Sequence, residues 1–450
     1  MAPSATDILP TVSNGTNGFA HIKKYKDRSN LVPFASRLKD GRALAQDVWS
    51  IFNAVNLPSD CINLGQGYMN FPPPQWVKDA AGEALATTAT NHYSHPKGRL
   101  RLREAIKKVY GPLLGRDLDV ENEIQVTSGA NEGTLYSVFT AFLEPGDEVI
   151  MFEPFFDQYL PSVVFNGGVP VYVPLHPDLS GERPTSDDWK IDFDELARAI
   201  TPRTKMIIVN TPHNPVGKVF TREELEKIAA LAEQHNLIVM SDEVYDFLVF
   251  DNKEHVRIAT LPGMWDRTVT VGSAGKLFSA TGWRVGWLIA PASIIRPTLA
   301  ACTRIVFCSN SPLQEAAAVG LEQIEERGYL AQTVKEYDER RLTLTSAFDK
   351  LGMTYSHPEG SYFVLLDISS VHWPENYPFP ESLQGRGRDF NRACWFIAME
   401  VGVSSIPVSE FYCEEHCSIG ESYARFAFCK DVDTLKQAAE RLQNLKRFLR

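Results

Sequence analysis

Four apolar runs in this 450-residue chain each end in polar side chains that can do chemistry. Residues 205–210 (KMIIVN) lead into Thr211, Pro212, His213, Asn214 and Pro215. Residues 237–241 (LIVMS) lead into Asp242, Glu243, Val244 and Tyr245. Residues 269–271 lead into Gly272, Ser273, Ala274, Gly275 and Lys276, and residues 124–127 into Ser128, Gly129, Ala130 and Asn131. Short apolar runs bounded by turn residues read as strands covered on both faces. Open parallel sheets gather ligands beyond the carboxyl ends of their strands. An amide, a carboxylate with a phenol, a lysine with a hydroxyl, and a small-residue turn should therefore meet at one edge.

That set has a matching chemistry. A lysine able to shed its charge binds an aldehyde as a Schiff base. A heteroaromatic ring withdraws electrons when its pyridine nitrogen keeps a proton, which calls for a carboxylate such as Asp242. Asn214 and Tyr245 can donate to a phenolic ring oxygen. A phosphate calls for a helix N-terminus whose small residues let backbone amides approach. Gly129, Ala130 and Asn131 supply that turn, with Ser273 and Arg284 as side-chain partners. The cofactor that needs this list is pyridoxal 5'-phosphate, with Lys276, Asp242 and Tyr245 as the catalytic residues. Taken singly, each has an ordinary explanation: Lys276 and Arg284 as surface charge, Asp242 as a helix cap, Tyr245 as a core aromatic, Asn214-Pro215 as a turn. Their joint order on consecutive strand ends carries the reading.

Other site chemistries fail on spacing. Gly275-Lys276 lacks the upstream glycine of a P-loop, since Thr270 stands there, and Leu277 replaces the required Ser or Thr. No Gly-x-Gly-x-x-Gly follows a strand-like run, which argues against a dinucleotide site. Cys413, His416 and Cys417 cluster, but a structural zinc site needs four ligands and no second pair lies nearby, so no metal is expected. The seven cysteines are odd in number and scattered, as reduced thiols are.

The elements that must position these residues alternate between helix-like and strand-like from about residue 97. Residues 222–235 read as a helix, with Thr221 as N-cap and Glu224 three residues on completing a capping box. Such alternation implies an α/β fold with a mostly parallel sheet flanked by helices. After about residue 335 a long charged helix, an apolar run at 362–366 and two further helices suggest a smaller α+β domain. The expected organisation is a disordered tail over 1–40, an N-terminal arm over 41–74 that completes the small domain, a large cofactor-binding domain over 75–334 and a small domain over 335–450. A net charge of −11 argues against a nucleic-acid surface. No run approaches the ~20 apolar residues of a membrane span. The first residues carry no apolar signal core and only a weak case for a transit peptide, so a cytoplasmic location is expected, with a mitochondrial one as the alternative.

Position by position, residues 273–286 (SAGKLFSATGWRVG) resemble the cofactor-lysine signature of class I aminotransferases of fold type I. The likeness continues through residues 210–215 and 241–245. More narrowly, residues 63–67 (NLGQG), 71–74 (FPPP), 153–157 (EPFFD) and 360–363 (GSYF) resemble the kynurenine aminotransferases, also called glutamine transaminase K or cysteine-conjugate β-lyase. The resemblance implies a seven-stranded-type sheet and further roles by position. Phe156 would stack on the cofactor ring. Arg425 would clamp the substrate α-carboxylate, the natural partner of a planar guanidinium, with Gly67 and Asn214 beside it. Trp49 would line the side-chain pocket. Tyr93 would reach the phosphate of the neighbouring subunit, making a homodimer with shared sites. Phe307-Cys308 stands where animal members often carry Phe-His, and His213 where many relatives carry a second Asn.

The expected activity is transfer of an amino group from kynurenine, glutamine or an aromatic or sulfur amino acid to a 2-oxo acid by a ping-pong route. The alternatives are a C–S β-lyase on the same fold, which shares the carbanion, and a non-catalytic protein of this fold, which would be expected to lack Lys276 or Asp242.

Overall fold

Asn210, Asp242 and Ser273 each close a strand of one sheet, and the sheet's register sets their relative heights. The computed structural model describes residues 57–450 apart from 384–386 and 388–389, so Trp49 and the expected tail lie outside the described residues. In chain order the strands are β1 (Ile62–Asn63), β2 (Ile124–Thr127), β3 (Glu148–Glu153), β4 (Val169–Pro177), β5 (Trp189–Ile191), β6 (Thr204–Asn210) and β7 (Ile238–Asp242). They continue with β8 (Thr268–Ser273), β9 (Gly286–Ile289), β10 (Tyr355–Ser356), β11 (Phe363–Asp367), β12 (Val403–Ser404), β13 (Ile406–Pro407) and β14 (Tyr423–Ala427).

The main sheet runs β2-β9-β8-β7-β6-β3-β4-β5. Its neighbours are parallel except at β9, which pairs antiparallel with both β2 and β8, and at β5, an antiparallel edge on β4. The first seven strands in that order are the mostly parallel sheet the resemblance implied. The two faces are covered by different helices, as the period of two along a strand requires. Met206, Ile208 and Met240 pack with Val138 and Phe139 of helix Ala130–Phe142 and with Ile294 and Ile295 of helix Ala292–Ile305. Ile207, Val209 and Val239 point the other way, onto Leu225 and Ile228 of helix Arg222–Gln234. Thr221 caps that helix through Glu224 N–H, and the Glu224 carboxylate accepts in return from Thr221 N–H, the expected capping box. Each fully buried Val, Ile or Leu contributes about 1.5–3 kcal/mol, so two covered faces hold the strand ends rigid.

A second sheet, β10-β11-β14-β13, is wholly antiparallel. Arg425 sits centrally in it, opposite Leu365 on β11 and Ile406 on β13. Val364, Leu365 and Phe426 share one apolar cluster with Ile207 and Val209 of β6. The long charged helix occupies Tyr329–Leu351. The C-terminal helix stops at Leu442 and tightens to a 3-10 turn over Gln443–Phe448.

Candidate active site

Register explains why the strand ends converge. Asn210 faces Asp242 across β6 and β7, and Asp242 faces Val271 on β8. Ser273 and Thr127 both face Gly286 of β9. Asp242 and Asn210 therefore lie one row deep, and Ser273 and the Thr127–Gly129 turn two residues further out, a rise of about 6.6 Å. An acid at one depth and small residues at another suit a ligand with a ring nitrogen at one end and an anion at the other.

Lys276 lies in the short helical turn Ala274–Leu277 directly after β8. Its Nζ donates to the Tyr362 hydroxyl at 2.9 Å, which donates to the Gly67 carbonyl at 2.8 Å. The amine sits 5.7 Å from the Tyr245 ring centroid and 5.5 Å from that of Tyr362. Burial pushes the Lys276 ammonium down to about 8, with Arg284 and Arg425 acting the same way and Cys429 and Asp242 opposing. A lysine whose pKa is brought down to about 8 keeps a neutral fraction near physiological pH and can react.

Asp242 accepts from Tyr159 Oη at 2.5 Å and from the Val244 N–H at 3.4 Å. Burial raises its carboxyl, while those two hydrogen bonds and the Lys276 charge favour the anion. Asn214 follows the turn after β6, with its N–H donating to Asn210 Oδ1 at 2.8 Å. Its own Oδ1 accepts from Arg425 Nη1 at 3.0 Å, and Arg425 Nη2 donates to the Gly65 carbonyl at 2.8 Å. The Arg425 guanidinium lies over Phe363 and Phe411, 4.4 and 4.9 Å from their centroids. Burial pushes its pKa down to about 10, so it stays charged at neutral pH.

The small-residue turn behaves as a cradle. Gly129 adopts φ +87° and caps helix Ala130–Phe142. A Cβ there would lie 2.2 Å from Arg284 Nη2, and one on Gly286 would lie 2.4 Å from the Ala130 nitrogen. Ser273, Arg284, Gly129 and the amide of Ala130 are thus brought together. The buried Oδ1 of Asn131 has no hydrogen-bond partner among the described residues. These features fit pyridoxal phosphate: an amide cradle at a helix N-terminus beside a guanidinium, a carboxylate deeper in, and a lysine of lowered pKa.

The remaining expected residues are placed as follows. Phe156 turns its ring edge-on to Tyr159, with centroids 5.6 Å apart. Gly67 packs so closely that a Cβ would lie 2.8 Å from Phe363 Cζ. Tyr93 is 85% exposed and in edge contact with Phe307 at 5.3 Å. Three residues enter the site unassigned by sequence reasoning. Tyr159 and Tyr362 stand in or beside motifs already singled out, and Cys429, whose Sγ donates to the Tyr68 carbonyl at 3.5 Å, gave no signal. Among the described residues, one trio has metal-ligand types with ligand atoms within 4.8 Å of one another: Glu153, Cys413 and His416. The Glu153 carboxylate there accepts from Cys413 N–H and pairs with the His416 ring, while Cys417 turns to the Glu414 carbonyl at 3.1 Å.

Comparison with known proteins gives the family. Residues 59–442 match the family Aminotransferase class I and II. The probable kynurenine–oxoglutarate transaminase BNA3 of Saccharomyces cerevisiae is 46% identical over 418 residues, 90% of this chain and 93% of that protein. The kynurenine–oxoglutarate transaminase of Dictyostelium discoideum is 42% identical over 420 residues, 91% of this chain and 96% of that one. The crystal structure of Bna3p, described as a putative kynurenine aminotransferase from S. cerevisiae, superposes with a TM-score of 0.88 at 44% identity, covering 93% of this chain and all of that one. The N-succinyldiaminopimelate aminotransferase of Mycobacterium tuberculosis gives a TM-score of 0.80 at 35% identity, over 92% of this chain and all of that one. A lysine, an acid and a small-residue cradle on neighbouring strand ends thus accompany a sequence match over most of the length, and the chain belongs to the class I and II aminotransferases, which are pyridoxal-phosphate-dependent transaminases.

Proposed function

We propose that this transaminase takes its amino group from kynurenine and passes it to 2-oxoglutarate, as the names of its curated relatives in yeast and Dictyostelium suggest. The observation that carries the assignment of the site is the convergence of Lys276, Asp242, Asn214 and Arg425, from three strand ends and one strand of the second sheet, around one space. Glutamine and aromatic or sulfur amino acids are further candidate donors.

The bound cofactor supplies an electron sink conjugated to the substrate's amino group. Asp242, with its charge supported by Tyr159, keeps a proton on the ring nitrogen. Tyr245 and Asn214 donate towards the ring oxygen. Gly129, Ala130, Asn131, Ser273 and Arg284 hold the phosphate, and Phe156 covers a ring face. Arg425 takes the substrate α-carboxylate beside Gly67, an arrangement that fixes Cα where Lys276 can reach it. Lys276, neutral in a substantial fraction near pH 8, accepts the Cα proton and returns it to the carbon two atoms along, on the far side of the amino nitrogen. The reverse sequence on a 2-oxo acid completes a ping-pong cycle.

The same reading includes a homodimer in which Tyr93, 85% exposed in one protomer, serves the partner's phosphate, and in which Trp49 lines the side-chain pocket. It also includes a large cofactor-binding domain over 75–334, a small domain over 335–450 and a cytoplasmic location. The test is a panel of amino acids and 2-oxo acids with wild type and Lys276→Ala. Kynurenine with 2-oxoglutarate should rank among the best pairs, and the lysine variant should lose both turnover and the lysine–cofactor absorbance. Near-normal transamination by that variant would refute the site, and sustained turnover without any 2-oxo acid would mark a lyase.

A further inference from the structure

Tyr362 is fully buried, yet its hydroxyl touches the one amine that the reaction needs. The phenol carries a single proton. The Gly67 carbonyl can only accept, so the 2.8 Å contact commits that proton to it. What the phenol oxygen then offers Lys276 Nζ, 2.9 Å away, is a lone pair. An acceptor aimed at an amine favours its charged, fully protonated form.

The ring has little freedom to turn away. Tyr337 stacks on it with centroids 6.0 Å apart and planes at 18°, and Tyr245 meets it edge-on at 5.0 Å. The loop below it is equally fixed. Asn63 Oδ1 accepts from the N–H groups of Gly65 and Gln66 at 3.1 and 3.0 Å, and Lys430 Nζ donates to the Gln66 carbonyl at 3.1 Å. Arg425 Nη2 is seated on the Gly65 carbonyl of the same loop. One short loop therefore carries the anchor of Tyr362 at one end and the anchor of Arg425 at the other.

We propose that Tyr362 is a positioning residue for transamination: its hydroxyl accepts from the freed amine of Lys276, supports the ammonium that forms when that amine takes up a proton, and ties it to the loop whose Gly65 carbonyl seats Arg425. The inference rests on the reading of Lys276 as the proton-moving lysine. During the reaction the Lys276 nitrogen gains the Cα proton, the phenol oxygen accepts a hydrogen bond from the resulting ammonium, and the ammonium later gives the proton back. Tyr362 keeps its own proton throughout, donated in a hydrogen bond to the Gly67 carbonyl. Among the charged neighbours of the amine, Asp242 and Cys429 favour the ammonium and Arg284 and Arg425 oppose it, and the phenol of Tyr245 lies beside it with its ring centroid 5.7 Å away.

The test reads the contact in the protein stripped of cofactor. Wild type and Tyr362→Phe are labelled with acetic anhydride across a pH series, and acylation of Lys276 is followed by mass spectrometry. Removing the acceptor should lower the half-point of labelling by about one pH unit, the size of one hydrogen bond to a charged group. In the loaded enzyme kcat should fall about tenfold while KM changes less than about twofold, because an interaction made during proton transfer is lost. An unchanged half-point overturns the proposal, whatever happens to activity. Should Tyr362→Phe fail to fold, 3-fluorotyrosine at the same position keeps the shape and weakens the acceptor. It should shift the half-point downwards too, and no shift is equally fatal. Failure of the lysine assignment itself is seen separately, as transamination surviving in Lys276→Ala.

Discussion

The Tyr159 hydroxyl donates to Asp242 Oδ2 at 2.5 Å, a contact between the start of helix Tyr159–Phe165 and the end of β7. Burial alone would push the Asp242 carboxyl up and invite it to take a proton, and this hydrogen bond is the foremost influence in the other direction. A carboxylate that must stay charged in a dry site needs such a donor.

Tyr159→Phe removes the donor while keeping the ring, including its edge contact with Phe156. The Asp242 pKa should then rise. With a hydrogen bond to a charged group contributing about 1.5–3 kcal/mol, cofactor affinity at pH 7 should fall roughly ten- to a hundredfold. The sign of the pH effect follows: a raised carboxyl pKa weakens binding most at low pH, and part of the loss returns as pH rises. Equilibrium dialysis at pH 6, 7 and 8.5 measures both. An equal loss at all three would mean that the phenol acts only by packing.

Gly129 gives a steric prediction. Its φ of +87° already excludes most side chains, and a Cβ would be 2.2 Å from Arg284 Nη2. Arg284 can swing away, but only by leaving the cradle, and it is itself held at φ +52° with Nη1 donating to the Thr281 carbonyl at 3.0 Å. Gly129→Ala should lower stability by about 1–3 kcal/mol through backbone strain. Cofactor affinity should fall at least tenfold in the same variant, since amide and guanidinium no longer converge. Thermal melting with and without cofactor separates the two effects: the increase in Tm on adding cofactor should shrink, beyond the drop seen in the apoprotein.

Much of this geometry was legible because it is local. The runs at 124–127, 205–210 and 237–241 became β2, β6 and β7 within a residue or two, since an apolar stretch ended by turn residues has few other fates. Asp242 and Asn214 followed from those ends, and Lys276 from the end of the run at 269–271 that became part of β8. β9 was not assigned as a strand, because its four residues continue directly from the signature around Arg284. Its antiparallel direction accompanies the connection 274–285, whose two short helical turns bring the chain back beside β8 without the full crossover helix usual between parallel strands. Arg425 was reachable only through resemblance. Tyr159 and Tyr362 lie 83 and 86 positions from their partners, and no periodicity encodes a contact at that range. Tyr93 stands on the exposed surface, and a role across a subunit boundary leaves no mark within one chain.

Lys276 links the site to stability. In the folded apoprotein its pKa is lowered to about 8, against an ordinary 10.5 for an unfolded lysine. Between those values the unfolded chain binds the proton that the folded one has shed. Where the unfolded state holds more protons, stability rises with pH. The amine therefore costs the apoprotein stability at pH 7, and this cost is relieved as pH climbs from about 8 towards 10.5. Lys276→Met keeps the length of the side chain and has nothing to protonate, so it isolates this contribution from every other titrating group. Urea unfolding of cofactor-free wild type and Lys276→Met should show the variant ahead at pH 7, with the wild type gaining on it steadily up to pH 10. A difference that stays flat across that range would show the amine to be fully hydrated in the folded protein. It would also remove the physical reason for expecting a reactive, partly neutral lysine at this strand end.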